Sequence, residues 1–351
     1  MKLDVKLLIL FISFSSLLNA QFQKEATKLT ISFMEEQKIP GLSITVSQKG
    51  KIIWSEGFGY SDVTMNKKVS PKNTQFRIAS ISKTLTAVAL AKLVDDNKLN
   101  LNHSLYKYVP NFPKKKHDFT IRQIAGHTAG IRHYNGNEFL INNKMSIIKG
   151  LDVFKDSELL FKPGTKFKYS TYGWNLLSVV IQNASNRDFF DFMDAEVFQP
   201  LKMNKTTVDA SDKENVNSTQ FYVKRKGKVV LGPKVSNEFK AAGGGFLSTS
   251  EDLVLFGNEF ITPQVISTNS LSELTTSNKI NEGKKTKYGI GISIRKTKNN
   301  TLKLSHSGGG VGASSMLLIY PKEEIVISIL TNLSRVKMRD YIKELENLLI
   351  R

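Results

Sequence analysis

No cysteine occurs anywhere in the 351 residues. The chain therefore has no disulfide framework, no thiolate nucleophile and no Cys-ligated zinc or iron–sulfur cluster. Histidine is scarce: the five are His103, His117, His127, His133 and His306. None forms an H-x-H or H-E-x-x-H pair, so neither a metal site nor a cofactor is expected. Acidic residues are in deficit, 31 Asp and Glu against 50 Lys and Arg, for a formal charge of +19. So basic a balance raises nucleic acid as a partner. The clusters at Lys114–Lys116, Lys224–Lys228 and Lys284–Lys287 carry no interleaved aromatics for stacking on bases, and they read as solvated loops. An anionic cell envelope is the better partner for an exported chain of this charge. Hydrophobic residues nevertheless make up 40 %. That is enough for a large core, which excludes bulk disorder, collagen-like repeats and a fibrous coil.

The first twenty residues stand apart. Lys2 and Lys6 form a short basic region, Leu7 to Phe14 is almost wholly apolar, and Leu18-Asn19-Ala20 offers a small residue for cleavage. This is the pattern of a secretory signal peptide over residues 1–20, with the mature domain over 21–351. The run is short for a membrane span, and no other stretch approaches eighteen apolar residues, so no stable span is expected after cleavage. The chain is read as exported, periplasmic or extracellular. An uncleaved anchor helix is the competing reading.

Periodicity predicts an amphipathic helix over Glu25–Glu36, with Ala26, Leu29 and Phe33 on one side. A hairpin follows, Leu42–Ser47 and Lys51–Ser55 around Gln48-Lys49-Gly50. Helical patterns run from Ser80 to Asp96, Ser170 to Gln182 and Arg187 to Val197, and Ser248-x-x-Glu251 is a capping-box candidate for a helix through Phe256. Strands return at Tyr288–Ile294, Leu302–Ser305, Ser314–Tyr320 and Ile325–Leu330, before a closing helix over Arg335–Leu349. The pattern implies an α/β (α+β) fold. An antiparallel sheet, from about 40–62 and 285–332, is built from both termini and flanked by helices, with a helical subdomain inserted over about 80–240.

Three short motifs carry chemistry. Ser80-Ile81-Ser82-Lys83 opens a strong helix, and residues three apart share a helix face, so the Lys83 amine can reach the Ser80 hydroxyl. A neighbouring amine of depressed pKa activates an otherwise poor serine nucleophile. A helix N-terminus also favours the developing oxyanion. An N-cap serine followed by a solvated lysine has the same spacing. Ser82 is the rival nucleophile, but it precedes Lys83 directly and points away from it. Tyr169-Ser170-Thr171 follows Pro163-Gly164 and precedes an apolar helix, and a tyrosine beside an ammonium can serve as a general base. His306-Ser307-Gly308-Gly309-Gly310 ends a candidate strand, where glycines let a substrate lie along the edge and an exposed N–H can complete an oxyanion hole.

In this order the three resemble the marks of the penicillin-recognising serine enzymes: S-x-x-K, a Tyr or Ser triplet, and K-T-G on a strand. Gly126-His127-Thr128-Ala129-Gly130, Ile131-Arg132-His133-Tyr134 and Ala242-Gly243-Gly244-Gly245-Phe246-Leu247-Ser248-Thr249 extend the likeness. They look like the class C β-lactamase-related group, and particularly its mitochondrial serine β-lactamase-like branch. The resemblance implies a β-lactamase/transpeptidase-like fold. Ser80 would be the acylated nucleophile, Lys83 its proton partner and Tyr169 the base that also protonates the leaving group. The N–H groups of Ser80 and Gly309 would form the oxyanion hole. His306, Ser307 and Gly308 would face the substrate, the two side chains contacting its carboxylate or carbonyl. His127 would brace a loop, and Arg132 and Tyr134 would sit at the cleft rim.

Two positions depart from the pattern. Thr171 replaces the usual Asn of the triplet, and His306 replaces the lysine of K-T-G. Both changes weaken recognition of a β-lactam, so the expected activity is hydrolysis of amide or ester bonds in a small peptide-like substrate. β-Lactamase or D-Ala-D-Ala carboxypeptidase activity is the alternative. A non-catalytic assembly protein is the other, since the mitochondrial branch forms filaments. The oligomeric state is not legible in the sequence.

Overall fold

The computed structural model describes residues 5–210 and 215–350, with side chains from Ala20 onward. Most of the expected leader, Lys2 included, therefore lies outside the described residues or is described only as helical backbone. Helix α1 spans Val5–Gln37, longer than the periodicity of its second half indicates. Its side-chain packing begins at Phe22, whose ring meets Trp54 edge-on at 5.8 Å.

The chain then makes β1 (Gly41–Gln48), β2 (Lys51–Asp62) and β3 (Lys67–Lys68), with Lys49 and Gly50 both at positive φ in the tight turn. Two-residue turns of that handedness match the twist of a hairpin, and glycine adopts positive φ at little cost. After the helical portion come β4 (Ser293–Lys296), β5 (Leu302–Gly310), β6 (Ala313–Tyr320) and β7 (Ile325–Thr331). The seven strands form one antiparallel sheet in the order β3-β2-β1-β7-β6-β5-β4, so the two ends of the chain meet at β1 and β7. The expected α/β architecture is borne out.

β7 is buried at every residue, and β1 at all but Gln48. Such apolar runs belong to strands covered on both faces. The outer face carries α1 and the C-terminal α5 (Arg339–Leu349). Phe33 stacks on Tyr341 at 4.3 Å, and the Thr30 and Tyr341 hydroxyls lie 2.7 Å apart. The inner face meets the helical portion, built on α2 (Ser82–Asp95), α3 (Thr171–Ser185) and α4 (Ser250–Asn258). Helix α2 is buried nearly all round, as a helix at the centre of a core must be.

Several expectations are corrected. Tyr288–Ile292 is irregular, and only Ser293–Lys296 forms that strand, because Tyr288 folds inward. Thr249, not Ser248, caps α4 by accepting from the Asp252 N–H at 3.1 Å, while the Ser248 hydroxyl meets Thr206. The segment Arg187–Val197 breaks into a helix over Phe189–Met193 and a wider turn over Asp194–Phe198. Helical structure also continues past residue 240, through α4 to a helix over Thr268–Thr275.

Candidate active site

A short strand, Phe76–Arg77, leads into a 3₁₀ turn over Ala79–Ile81, and α2 begins only at Ser82. Ser80 therefore sits two residues ahead of the helix, facing outward while Ala79 and Ile81 are buried. Ala79 holds φ +47°, a left-handed conformation costing a residue with a Cβ about 1–2 kcal/mol. Strain of this kind survives only where the surroundings over-determine it, and here strands β5 and β6 do so. The Ser315 hydroxyl donates to the Ile78 carbonyl at 2.8 Å. A Cβ on Gly308 would lie 2.1 Å from Ser315 Oγ and 2.2 Å from the Ile78 carbonyl oxygen. Only glycine lets the strand approach the nucleophile turn that closely. The next residue, Gly309, faces open space and lines one cavity of about 200 Å³ with Ser80, Tyr169 and Thr171.

Lys83 is fully buried, one turn below Ser80. Its Nζ donates to Ser80 Oγ at 3.1 Å, to Thr171 Oγ1 at 3.2 Å and to the Gly243 carbonyl. None of these partners is a carboxylate. Burial without a counter-charge holds the amine well below the ordinary lysine range. An uncharged amine has two N–H groups and one lone pair. Thr171 and Gly243 can take the first two, leaving the lone pair to Ser80. Ser82 is buried in the core, accepting the Phe246 N–H at 3.3 Å, and has no access to the cavity. Thr171 thus supplies the lysine's acceptor, though not an amide donor for substrate. Asn175, one turn further along α3, is buried with neither amide atom bonded among the described residues.

Tyr169 stands at the mouth of α3. Ser170 caps that helix, accepting the Gly173 N–H at 3.0 Å and donating to the Arg132 carbonyl at 2.7 Å. His127 Nδ1 accepts the Ser170 N–H at 3.2 Å and His133 Nδ1 the Thr171 N–H at 3.1 Å. Together they clamp the triplet. The Tyr169 ring lies 4.4 Å from the His127 ring and 5.8 Å from that of His133, and Lys83 Nζ is 4.9 Å from its centroid. Burial raises the Tyr169 phenol, with Ser80 as a hydrogen-bond partner pulling the other way. Burial thus lowers the Lys83 amine and raises the Tyr169 phenol, so the pair could place a proton acceptor and a proton donor side by side.

The strand alternation separates His306 from Ser307. His306 is buried, with Nε2 2.9 Å from the Tyr288 hydroxyl and Nδ1 2.8 Å from the Ser307 carbonyl. Both ring nitrogens are occupied, and burial with Lys83 nearby pulls the imidazole down to about 3. It is a neutral brace beneath Tyr169, not the cation that the lysine of K-T-G supplies. Ser307 is exposed on the opposite strand face. The expectation that both side chains face substrate does not hold in this geometry. Tyr134 does line the cavity. Arg132 instead ties its loop together through Glu138, at 2.7 and 3.0 Å, and through the Val153 carbonyl.

The sequence reading missed four contributors. The Gly243 carbonyl, His133 and Lys240 belong to the cavity or its lysine, and so does Arg77, paired with Asp209 at 2.6 Å. The run Ala242–Thr249 signalled the first only through its glycines. His133 lies in the stretch Ile131–Tyr134 that carries the resemblance, without a role read for it there, and nothing local marks Lys240 or Arg77, whose partners lie far along the chain. Among the described residues no cluster of His, Asp or Glu could hold a metal ion, and no helix is long and apolar enough to cross a membrane.

A strained nucleophile turn, a buried amine and a glycine strand edge around one cavity define the serine acyl-transfer class of site. The β-lactamase family pattern matches residues 26–349, and the chain belongs to that family. Human mitochondrial serine β-lactamase-like protein LACTB is 30 % identical, the match covering 86 % of this chain and 75 % of that protein. The same fold occurs in the octameric penicillin-binding protein homologue from Pyrococcus abyssi, with a TM-score of 0.81 and 24 % identity over 93 % of this chain and 76 % of that one. It occurs also in a D-stereospecific amidohydrolase from Streptomyces sp., with a TM-score of 0.76 and 21 % identity over 93 % and 97 %.

Proposed function

We propose that the protein is an exported serine hydrolase that cleaves amide or ester bonds in peptide-like substrates through an acyl-enzyme on Ser80. The observation that carries this is the buried Lys83 amine, its pKa lowered by desolvation, 3.1 Å from the Oγ of Ser80, in the cavity that Ser80 and Gly309 line. Ser80 Oγ attacks the carbonyl carbon and its proton passes to Lys83 Nζ. The oxyanion faces the N–H groups of Ser80 and Gly309. Tyr169 protonates the leaving nitrogen or oxygen, and the Lys83 ammonium returns a proton to Tyr169. Water then attacks the Ser80 ester by the same route in reverse, releasing the acid and restoring the hydroxyl. The amidohydrolase among the structural neighbours supports the reaction class. The pinned, neutral His306 argues against recognition of a β-lactam carboxylate at that position.

Labelling with a fluorophosphonate and with a fluorescent penicillin, on wild type and Ser80→Ala, tests the reading. The expected result is Ser80-dependent labelling by the fluorophosphonate and weak labelling by the penicillin. Penicillin labelling with rapid turnover would favour β-lactamase or D-Ala-D-Ala carboxypeptidase activity instead, and labelling by neither reagent would favour a binding protein.

A further inference from the structure

Lys240 is a second buried amine in the cleft, and the acyl-enzyme scheme does not use it. It ends the turn Glu238–Lys240 and is 4 % exposed, yet it lines the cavity that holds Ser80, Tyr169 and Gly309. Its Nζ donates to the Phe139 carbonyl at 3.1 Å and lies 5.4 Å from the Tyr134 ring centroid and 5.3 Å from that of Phe239. Among the described residues it forms no ion pair. The nearby carboxylate, Asp209, is taken by Arg77 and by the Asn237 amide. An ammonium has three donors, and among the described residues the Phe139 carbonyl is its one hydrogen-bond acceptor. Burial and the neighbouring Arg77 lower this amine to about 8, and Asp209 opposes them, so it stays largely protonated at neutral pH.

A buried ammonium short of acceptors is costly unless an anion completes it. Phe139, Gly309 and Val311, which line the cavity, also line a neighbouring groove of about 1110 Å³. Lys224, Arg225, Arg335 and Arg339 lie along that groove, and among the described residues Glu346 is its single acidic lining residue, already engaged by Lys303 and Tyr320. Both the inner cavity and its approach are complementary to negative charge.

We infer that the substrate carries a carboxylate on the acyl group next to the scissile bond, and that Lys240 is the specificity-determining residue that anchors it. This rests on the serine hydrolase reading. It assigns to Lys240 the anion contact that His306 is placed too deep and held too neutral to make.

The test compares the mono-aryl ester of glutarate with its methyl-capped neutral analogue. Wild type should favour the anionic ester by about ten- to a hundredfold in kcat/KM, chiefly through KM, as expected for one charge-assisted contact. In Lys240→Met that ratio should fall to about one, and Lys240→Arg should retain part of it. No preference in wild type, or equal losses on both esters in Lys240→Met, would overturn the inference, the second leaving Lys240 as a tether for the Phe139 backbone. Calorimetry of glutarate on Ser80→Ala, with and without Lys240→Met, reads the anion site without hydrolysis. Glutarate bound only when Lys240 is present supports the inference even if no ester is cleaved. Failure of the hydrolase reading is thereby separated from failure of this one.

Discussion

The helical wall and the strand wall of the cleft bury cations under opposite rules. On the helical wall Lys83 has three neutral partners, and burial holds its pKa well below the ordinary lysine range. On the strand wall Arg77 cannot lose a proton, so its charge is balanced by Asp209 at 2.6 Å, the Val311 carbonyl at 3.0 Å and the face of Phe221. The difference follows from side-chain chemistry: an amine buried without a counter-ion has its pKa lowered, by a degree that its surroundings set, while a guanidinium so buried must be paired or the fold loses stability. Chemistry thus lies where charge is withheld, and rigidity where charge is matched.

The contrast breaks most sharply if the helical wall is given the cation of the other. Lys83→Arg would place a permanent charge beneath Ser80 and remove the base. Acylation by an aryl ester, followed in single turnovers, should fall about a hundred- to ten-thousandfold, the worth of a general base. Lys83→Met should fall comparably, because the lost proton acceptor, not the charge, is what matters. Activity of Lys83→Arg near that of wild type would show that the uncharged amine is not the base.

Removing the balance on the strand wall should act on stability. Asp209→Asn leaves Arg77 buried and unpaired, with an expected cost of about 3–5 kcal/mol in urea unfolding. The double change Arg77→Met with Asp209→Leu should recover most of it. If Asp209→Asn unfolds at the wild-type midpoint, the ion pair is not what holds Phe76–Arg77 against Asp209.

A smaller effect sharpens the comparison from the acid side. His306, held down to about 3, and His133, held down to about 4, are both kept neutral by burial first and by Lys83 second. Below pH 6.5 the unfolded chain binds protons that the native state refuses, so stability falls on acidification from 6.5 towards these values. Each unit of difference is worth at most about 1.4 kcal/mol. His306→Gln should lessen the pH dependence of the unfolding midpoint by its own share, leaving those of His133 and of the buried His127, which burial also holds well below the ordinary histidine value. For the same reason kcat/KM should show no inflection at the ordinary histidine value. Activity should be lost instead as falling pH protonates Lys83 at its lowered value. A slope unchanged in His306→Gln would place the acid sensitivity elsewhere.

Much of the sheet was legible because its determinants are local. The alternation of Leu42–Ser47 and the turn at Lys49-Gly50 describe one hairpin, and the β-branched run from Ile325 describes one buried strand. The irregular Tyr288–Ile292 was not legible, since Tyr288 is drawn inward by the distant His306. The cap of α4 was misplaced by one residue because Ser248 and Thr249 carry the same chemistry. Their neighbours in space, Thr206 and Asp252, decide which hydroxyl caps. At the site, the one-turn spacing of Ser80 and Lys83 was readable. The lowered pKa of Lys83 was not, because burial is a property of everything packed around it.

The sequence by itself determined which groups could react: a serine and an amine one helical turn apart, a tyrosine ahead of a capped helix, and a glycine run on a strand. No thiol and no histidine pair competed with them. The tertiary structure alone decided their states. It brought Thr171 and Gly243, 88 and 160 residues beyond Lys83, to take the amine's protons. It sank His306 beneath Tyr169 and turned Lys240 into the cleft. Desolvation and hydrogen-bond partners come from residues that meet only when the chain is folded, and these set the charge of each group.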